Sequence, residues 1–216
     1  MFLSIYYLAA LVVILTVHEF AHAWVALRLG DPTAERAGRV SLNPMRHLSL
    51  LGTVMLFLAG IGWGKPVPVN PRNFENPVRD QAFTAAAGPA ANLLLAVAAG
   101  MVLNYFPDLL GAGAGLAEAS GHLLAFMEAV MTLSLVLFVF NLLPFPPLDG
   151  SKVLFLIVPK SLHRKYMEFL QRGMPYFIVL VVMDLYLSPR IFGFSWIWMV
   201  VSTVTFWLRT TILVLV

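Results

Sequence analysis

Apolar runs and short polar segments alternate along the whole chain. The first run extends from about Phe2 to Leu29 and ends in Arg28-Leu29-Gly30-Asp31-Pro32, a helix stop followed by a turn. Residues 31–47 are polar and carry Arg36, Arg39 and Arg46. Leu48 to Ile61 is apolar again, but at about 14 residues it falls short of the roughly 20 that a spanning helix needs. Gly62-Trp63-Gly64-Lys65-Pro66-Val67-Pro68-Val69-Asn70-Pro71 follows. That density of Pro and Gly excludes a helix, and the alternating Val residues predict extended backbone. Non-helical backbone at membrane depth is tolerated only where protein buries it or it lines a cavity. Residues 48–78 are therefore read as a re-entrant unit, with its extended segment near 62–78. Further spans are expected at about Gln81–Tyr105 and His122–Leu143, the latter broken by Pro144-Phe145-Pro146-Pro147-Leu148-Asp149-Gly150. A Gly/Ala-rich loop, 107–121, separates these two. A basic segment, Lys152 to Arg172, leads to two last spans, Met174–Leu187 and Ile191–Val216. The pattern predicts an all-α polytopic membrane protein with about five to six transmembrane helices.

Composition agrees. Of 216 residues, 60% are hydrophobic and 12% charged, and the mean hydropathy is +0.84. Soluble domains carry about 25% charged residues. One membrane-embedded domain over 1–216 is expected, with a core of about 1–155 and additional C-terminal helices at about 174–216. The net charge of +3 does not indicate a nucleic-acid partner. The cations sit in loops: four Lys/Arg in 28–50, three in 63–80, five in 151–172 and none in 107–121. By the positive-inside rule the three basic segments face the cytoplasm. Met1 to Thr16 holds no Lys or Arg, so the first run reads as a retained span, not a signal peptide. Without cysteine, a metal must rest on His, Asp and Glu.

Such residues stand inside the first span. His18-Glu19-Phe20-Ala21-His22 is an H-E-x-x-H motif, and Glu19 is the sole charge from Met1 to Leu27. Positions i and i+4 share a helix face, so His18 and His22 can hold one zinc ion, with Glu19 beside it to take a proton from water. An isolated carboxylate in lipid costs several kcal/mol, so it needs a reason. Catalytic zinc takes three protein ligands and keeps an open position. Asp149 fits best as the third. It follows a proline-broken helix end at matching depth, with Gly150 leaving room behind it. His122 lies toward the opposite face, Glu128 in the outer part of its span, and Asp184 in a late span without a motif. Asn92 and Asn141 are amides in apolar helices, suited to substrate backbone or to the oxyanion. The structural alternatives are helix–helix bonding for Asn92 and capping of the Pro144 break for Asn141. His47 and His163, in basic loops, are read as solvated.

His18-Glu-Phe-Ala-His22, Gly88-Pro-Ala-Ala-Asn92 and Asn141-Leu-Leu-Pro-Phe-Pro-Pro-Leu-Asp149-Gly150, in this order on separate apolar segments, resemble the site-2 protease family, the intramembrane zinc metalloproteases of peptidase family M50. The resemblance covers about residues 10–155. It implies zinc as cofactor, one ion per chain, held by His18, His22 and Asp149. It implies Glu19 as the catalytic acid/base, with Asn92 and Asn141 assisting, and transmembrane segments of other proteins as substrates. Gly64–Asn70 looks like the family's membrane-embedded strand, and the 216 residues hold no PDZ or CBS domain. The expected partners are substrate proteins and the lipid bilayer, with a homo-oligomer left open. The expected location is the plasma membrane of a prokaryote, the active site toward the cytoplasm. A zinc-binding or transport protein and an inactive scaffold are the competing classes. Transport predicts polar residues at several depths, and a dead scaffold predicts a lost ligand or Glu19.

Overall fold

The first apolar run forms α1, Ile5–Arg28. Its 24 residues extend about 36 Å, enough to cross a hydrocarbon core of about 30 Å. It stops where the sequence predicts. Gly30 takes φ 99°, the left-handed conformation that glycine adopts without penalty, and Pro32 follows. This geometry comes from a computed structural model, which describes residues 5–59, 62–109 and 117–216, and the side chains of these except 56–59, 107–109 and 117–119. Asp31 is fully buried and accepts hydrogen bonds from Thr33 N (3.1 Å), Asn70 N (2.7 Å) and Asn73 Nδ2 (2.6 Å). The turn after α1 is thereby tied to the far end of the extended segment. A single-turn helix, α2 (Thr33–Arg36), follows.

The 48–78 stretch is an out-and-back unit. Helix α3, Leu50–Ala59, has 10 residues, about 15 Å and half a membrane. The chain then returns extended, with Leu48 and Gly64 in an antiparallel bridge and Lys65 N donating to His47 O (2.6 Å). Gly52 lets α3 lie directly on this return, since a Cβ there would overlap the Trp63 backbone.

Helix α4 runs over Pro77–Leu109 and α5 over Ala117–Asn141. α4 starts before the expected Gln81 because Pro77 suits a first turn and Asp80 accepts from Asn76 N at 2.9 Å. Both ends of the expected 107–121 loop are helical, and its middle, 110–116, lies outside the described residues. α5 ends at the predicted proline break. A turn containing the cis peptide Pro146–Pro147 leads to α6, Asp149–Leu154. Helix α7, His163–Tyr186, begins well before the expected Met174. Arg164, Lys165, Met167, Glu168, Leu170 and Gln171 are good helix formers, so the basic lead-in winds into the span. Pro175 sits inside this helix. α8 (Ser188–Phe192) and α9 (Trp196–Leu215) complete the chain.

Among the described residues, five helical stretches are long and apolar enough to cross a membrane: Ile5–Arg28, Pro77–Phe106, Ser120–Asn141, Lys160–Phe192 and Trp196–Leu215. The all-α polytopic reading is borne out. α1, α4 and α5 pack most closely, α9 leans on α5 and α4, and α7 touches this group sparingly. The contact surfaces carry Ala10, Ala96, Ala99 and Ala129, small residues that let apolar helices approach. Ile14, Met131, Leu135 and Ile212 fill the space between them.

Candidate metal centre

α1 turns His18 and His22 toward α4, and both are buried. Their Nε2 atoms lie 3.0 Å apart. Asp149 Oδ2, from the first residue of α6, lies 3.3 Å from His18 Nε2 and 3.2 Å from His22 Nε2. This is the sole three-residue metal-type group among the described residues. The sequence-predicted ligands therefore meet, although Asp149 stands more than 120 residues from the histidines. Gly150 makes this possible. A Cβ there would overlap the Leu142 carbonyl and lie 2.6 Å from Leu143 O, so only glycine lets α6 start against the end of α5.

The donor set passes a geometric test for zinc. Zinc–nitrogen and zinc–oxygen bonds of about 2.0–2.1 Å in a tetrahedron place neighbouring ligand atoms roughly 3.3 Å apart. The three observed separations of 3.0–3.3 Å match this triangle. The imidazoles are also held from behind. His22 Nδ1–H donates to Thr84 O at 2.7 Å, which leaves Nε2 with its lone pair. His18 Nδ1 meets the side-chain amide of Asn92 at 3.1 Å. Thr84, Gly88 and Asn92 lie on successive turns of α4. Between the two polar contacts, Gly88 leaves a gap: a Cβ would overlap His22 Nε2 and come within 2.6 Å of His18 Cε1. One face of α4 thus fits the two histidines turn by turn. Lys152 Nζ approaches the second oxygen of Asp149, at 3.8 Å.

Glu19 lies against the extended segment. A Cβ on Gly64 would lie 3.4 Å from Glu19 Oε1, so the strand passes directly over the carboxylate. Arg39 Nη2 lies 3.7 Å from Glu19 Oε2. Arg39 is buried, Nη1 donates to Pro66 O at 2.9 Å, and Nη2 donates to Lys65 O. Burial lowers the pKa of this guanidinium, and the Glu19 carboxylate acts in the opposite direction.

Of the other polar candidates, Asn92 reaches the histidines and the rest stand elsewhere. Asn92 is fully buried against His18, and its Oδ1 has no partner. The Asn141 amide donates to Leu137 O at 2.9 Å, inside its own helix. Asp184 caps α9, accepting from Trp196 N (2.8 Å), Ile197 N (3.1 Å) and Ser195 Oγ. Glu128 pairs with Arg209 at 2.7 Å. His122 contacts the Tyr6 hydroxyl. Two histidines depart from the solvated reading. His163 Nε2–H donates to Val158 O (3.0 Å). His47 is buried, its Nε2–H donating to Ser41 O (2.6 Å) while Nδ1 faces Arg39. Arg39 and Gly88 are the residues at the site that the sequence reading missed. A basic residue in a polar loop carries no local sign of burial, and Gly88 passes for motif filler until both rings are placed.

Fold and site define a class: a multi-pass membrane protein with a buried His-His-Asp group able to hold a metal ion among its helices. The sequence model of peptidase family M50 matches residues 6–119 and 109–183. YwhC of Bacillus subtilis, provisionally named a zinc metalloprotease, is 40% identical over 183 residues, 83% of this chain and 81% of its own. Rip2 of Mycolicibacterium smegmatis, named likewise, is 37% identical over 141 residues, 63% of this chain and 51% of its own. Rip2 of Mycobacterium tuberculosis is 33% identical over 155 residues, 68% of this chain and 55% of its own. The chain spans about half the length of the Rip2 proteins. No solved structure matches. The chain belongs to peptidase family M50, the site-2 proteases, and is a membrane metalloprotease. Zinc is the metal that this family and this donor set call for.

Proposed function

We propose that the protein hydrolyses peptide bonds in or beside transmembrane segments of other membrane proteins. One observation carries this reading: three buried metal-type ligand atoms, two of them from a span, converge to within 3.3 Å, with Glu19 adjacent in sequence. His18, His22 and Asp149 hold zinc. When bound, zinc polarises the scissile carbonyl and acidifies the attacking water. Glu19 takes the proton of that water and passes it to the leaving amine. Thr84 O and Asn92 keep the imidazoles in place. For His18 Nε2 to bind metal, its Nδ1 must carry the hydrogen and so needs an acceptor. The unpartnered Asn92 Oδ1 supplies one when the amide turns over, an exchange of two atoms of equal size. Asn141, in the last turn of α5, is the remaining amide for contact with substrate. The basic segments support a site toward the cytoplasm; a prokaryotic plasma membrane accords with the bacterial relatives, and the whole of 1–216 is taken as one domain. Transport is disfavoured: Asp184 is spent on capping α9 and Glu128 on Arg209, so neither lines a second ion site.

The test is zinc per chain in detergent-purified protein, together with cleavage of a reporter-tagged single-span substrate. Wild type and Glu19→Gln should each carry about one zinc, Asp149→Ala much less, and only wild type should cleave. Cleavage by Glu19→Gln at the wild-type rate would sink the mechanism. Absence of zinc from wild type purified without chelator would sink the centre.

A further inference from the structure

Arg39 belongs to none of the three motifs, yet its guanidinium joins two parts of the site. It is 3% exposed, and its contacts come from four directions. Nη1 donates to Pro66 O and Nη2 to Lys65 O, both on the extended return. Nη2 also lies 3.4 Å from His47 Nδ1 and 3.7 Å from Glu19 Oε2. The surroundings fix this arrangement. His47 is locked by its Nε2–H bond to Ser41 O, so Nδ1 presents a lone pair to the cation. The His47 carbonyl receives Lys65 N, which closes a loop from Arg39 through the strand to His47. Glu19 is the one acidic group within ion-pair distance of Arg39 among the described residues. A buried cation without a counter-charge is costly, so the carboxylate and the guanidinium hold each other.

Resting on the proposed hydrolytic site, we infer that Arg39 is a positioning residue that fixes the Glu19 carboxylate and strand 64–66 relative to one another. Proton transfer requires the carboxylate within hydrogen-bond reach of the attacking water, and errors of about 1 Å can cost on the order of 100-fold. The Glu19 carboxylate stands at the end of several rotatable bonds, so its position depends on what it contacts. The strand above it is held to the protein by few bonds, because Pro66 and Pro68 offer no N–H. A planar fork that reads two carbonyls and a carboxylate at once defines both positions. Lysine keeps the charge but cannot make the three contacts in a plane.

The experiment uses the whole chain with Arg39→Gln and Arg39→Lys, and reads three quantities. Zinc per chain should stay at the wild-type level in both variants, because no metal ligand is touched. The kcat for the reporter-tagged single-span substrate, per bound zinc, should fall about 100-fold in both. The chain has no cysteine, so a single Lys65→Cys carries a spin label on the strand. Its spectrum should sharpen to a mobile form when Arg39→Gln is added. A kcat per bound zinc within threefold of wild type, in either variant, overturns the inference. So does loss of zinc in step with activity, which marks general collapse, and so does an unchanged label spectrum. If Arg39→Gln does not accumulate, Arg39→Lys carries the kcat and label comparisons alone. If wild type binds no zinc or cleaves nothing, the hydrolytic reading fails first, and the label still reports whether Arg39 holds the strand.

Discussion

Asn92 shows how a single side chain separates two accounts of one site. As an oxyanion donor it would present its amide N–H to substrate. As a partner of His18 it presents its carbonyl oxygen to the imidazole, and its burial against that ring favours the second account. Aspartate at this position keeps the acceptor and is a poor neighbour for an oxyanion. We therefore expect Asn92→Asp to retain zinc against a chelator and to keep measurable activity. Asn92→Leu, which has no acceptor, should lose about 10–100-fold in zinc affinity. Chelator competition followed by metal analysis decides. Zinc affinity unchanged in the leucine variant would return Asn92 to a substrate role. At this scale the motif residues were legible and their surroundings were not. His18, Glu19 and His22 are conspicuous because charge and imidazole are out of place in an apolar run, whereas Asp149, in a Pro/Gly break, was legible only as the third ligand the histidines call for. Arg39 and His47 are unremarkable in a polar loop, and only the folded chain shows them buried under the strand.

Among elements, the joint between the turn after α1 and the far end of the extended return rests on one carboxylate. Asp31 sits at this joint, outside the spans, and accepts from Thr33, Asn70 and Asn73. Burial alone would raise its pKa. The hydrogen bonds from Thr33, Asn73 and Asn70 outweigh burial and hold it below the ordinary carboxylate value of 3.8. The folded pKa lies below the unfolded one, so this group stabilises the fold fully above about pH 4 and loses the contribution as pH falls through its folded value. Asp31→Asn should cost about 1.5–3 kcal/mol at pH 7, the range for hydrogen bonds to a charged group. Thermal unfolding in detergent should then show the gap between wild type and variant closing below about pH 4. A gap that persists in acid would mean that the charge of Asp31 contributes nothing. Element ends were legible where glycine and proline mark them, at Gly30 and at Pro144. The start of α7 was not. Its basic residues read as a loop, yet they are also good helix formers, and adjacency to an apolar helix decided between the two.

For the molecule as a whole, the question is whether the last helices belong to the machine or only accompany it. A division near residue 155 follows from where the motifs end, and packing draws the line differently. Ile212 of α9 lies in the same buried cluster as Ile14 and Leu135. Gly100 of α4 has no side chain where α9 passes, and a Cβ there would stand 2.8 Å from Ile212 Cγ2. Arg209 supplies the partner of Glu128 on α5. α7, by contrast, meets the core at a few points: Gly173 against Pro146, Phe177 against Phe140, and Asp184 capping α9. Removing α9 therefore opens a groove along α4 and α5, the helices that carry Gly88, Asn92 and the approach to Asp149. It also leaves Glu128 without its Arg209 partner in the outer part of a span, where a lone carboxylate is unfavourable. Between apolar helices in lipid no hydrophobic gain compensates, because packing and polar pairs supply most of the association. A chain ending after Tyr186 should accordingly accumulate poorly, and what is recovered should release zinc faster than full-length protein. Adding back residues 187–216 as a separate chain should restore zinc retention. A truncated protein that holds zinc as firmly as the full chain would show that α1, α4, α5 and α6 suffice, and that the late helices serve substrate or lipid instead.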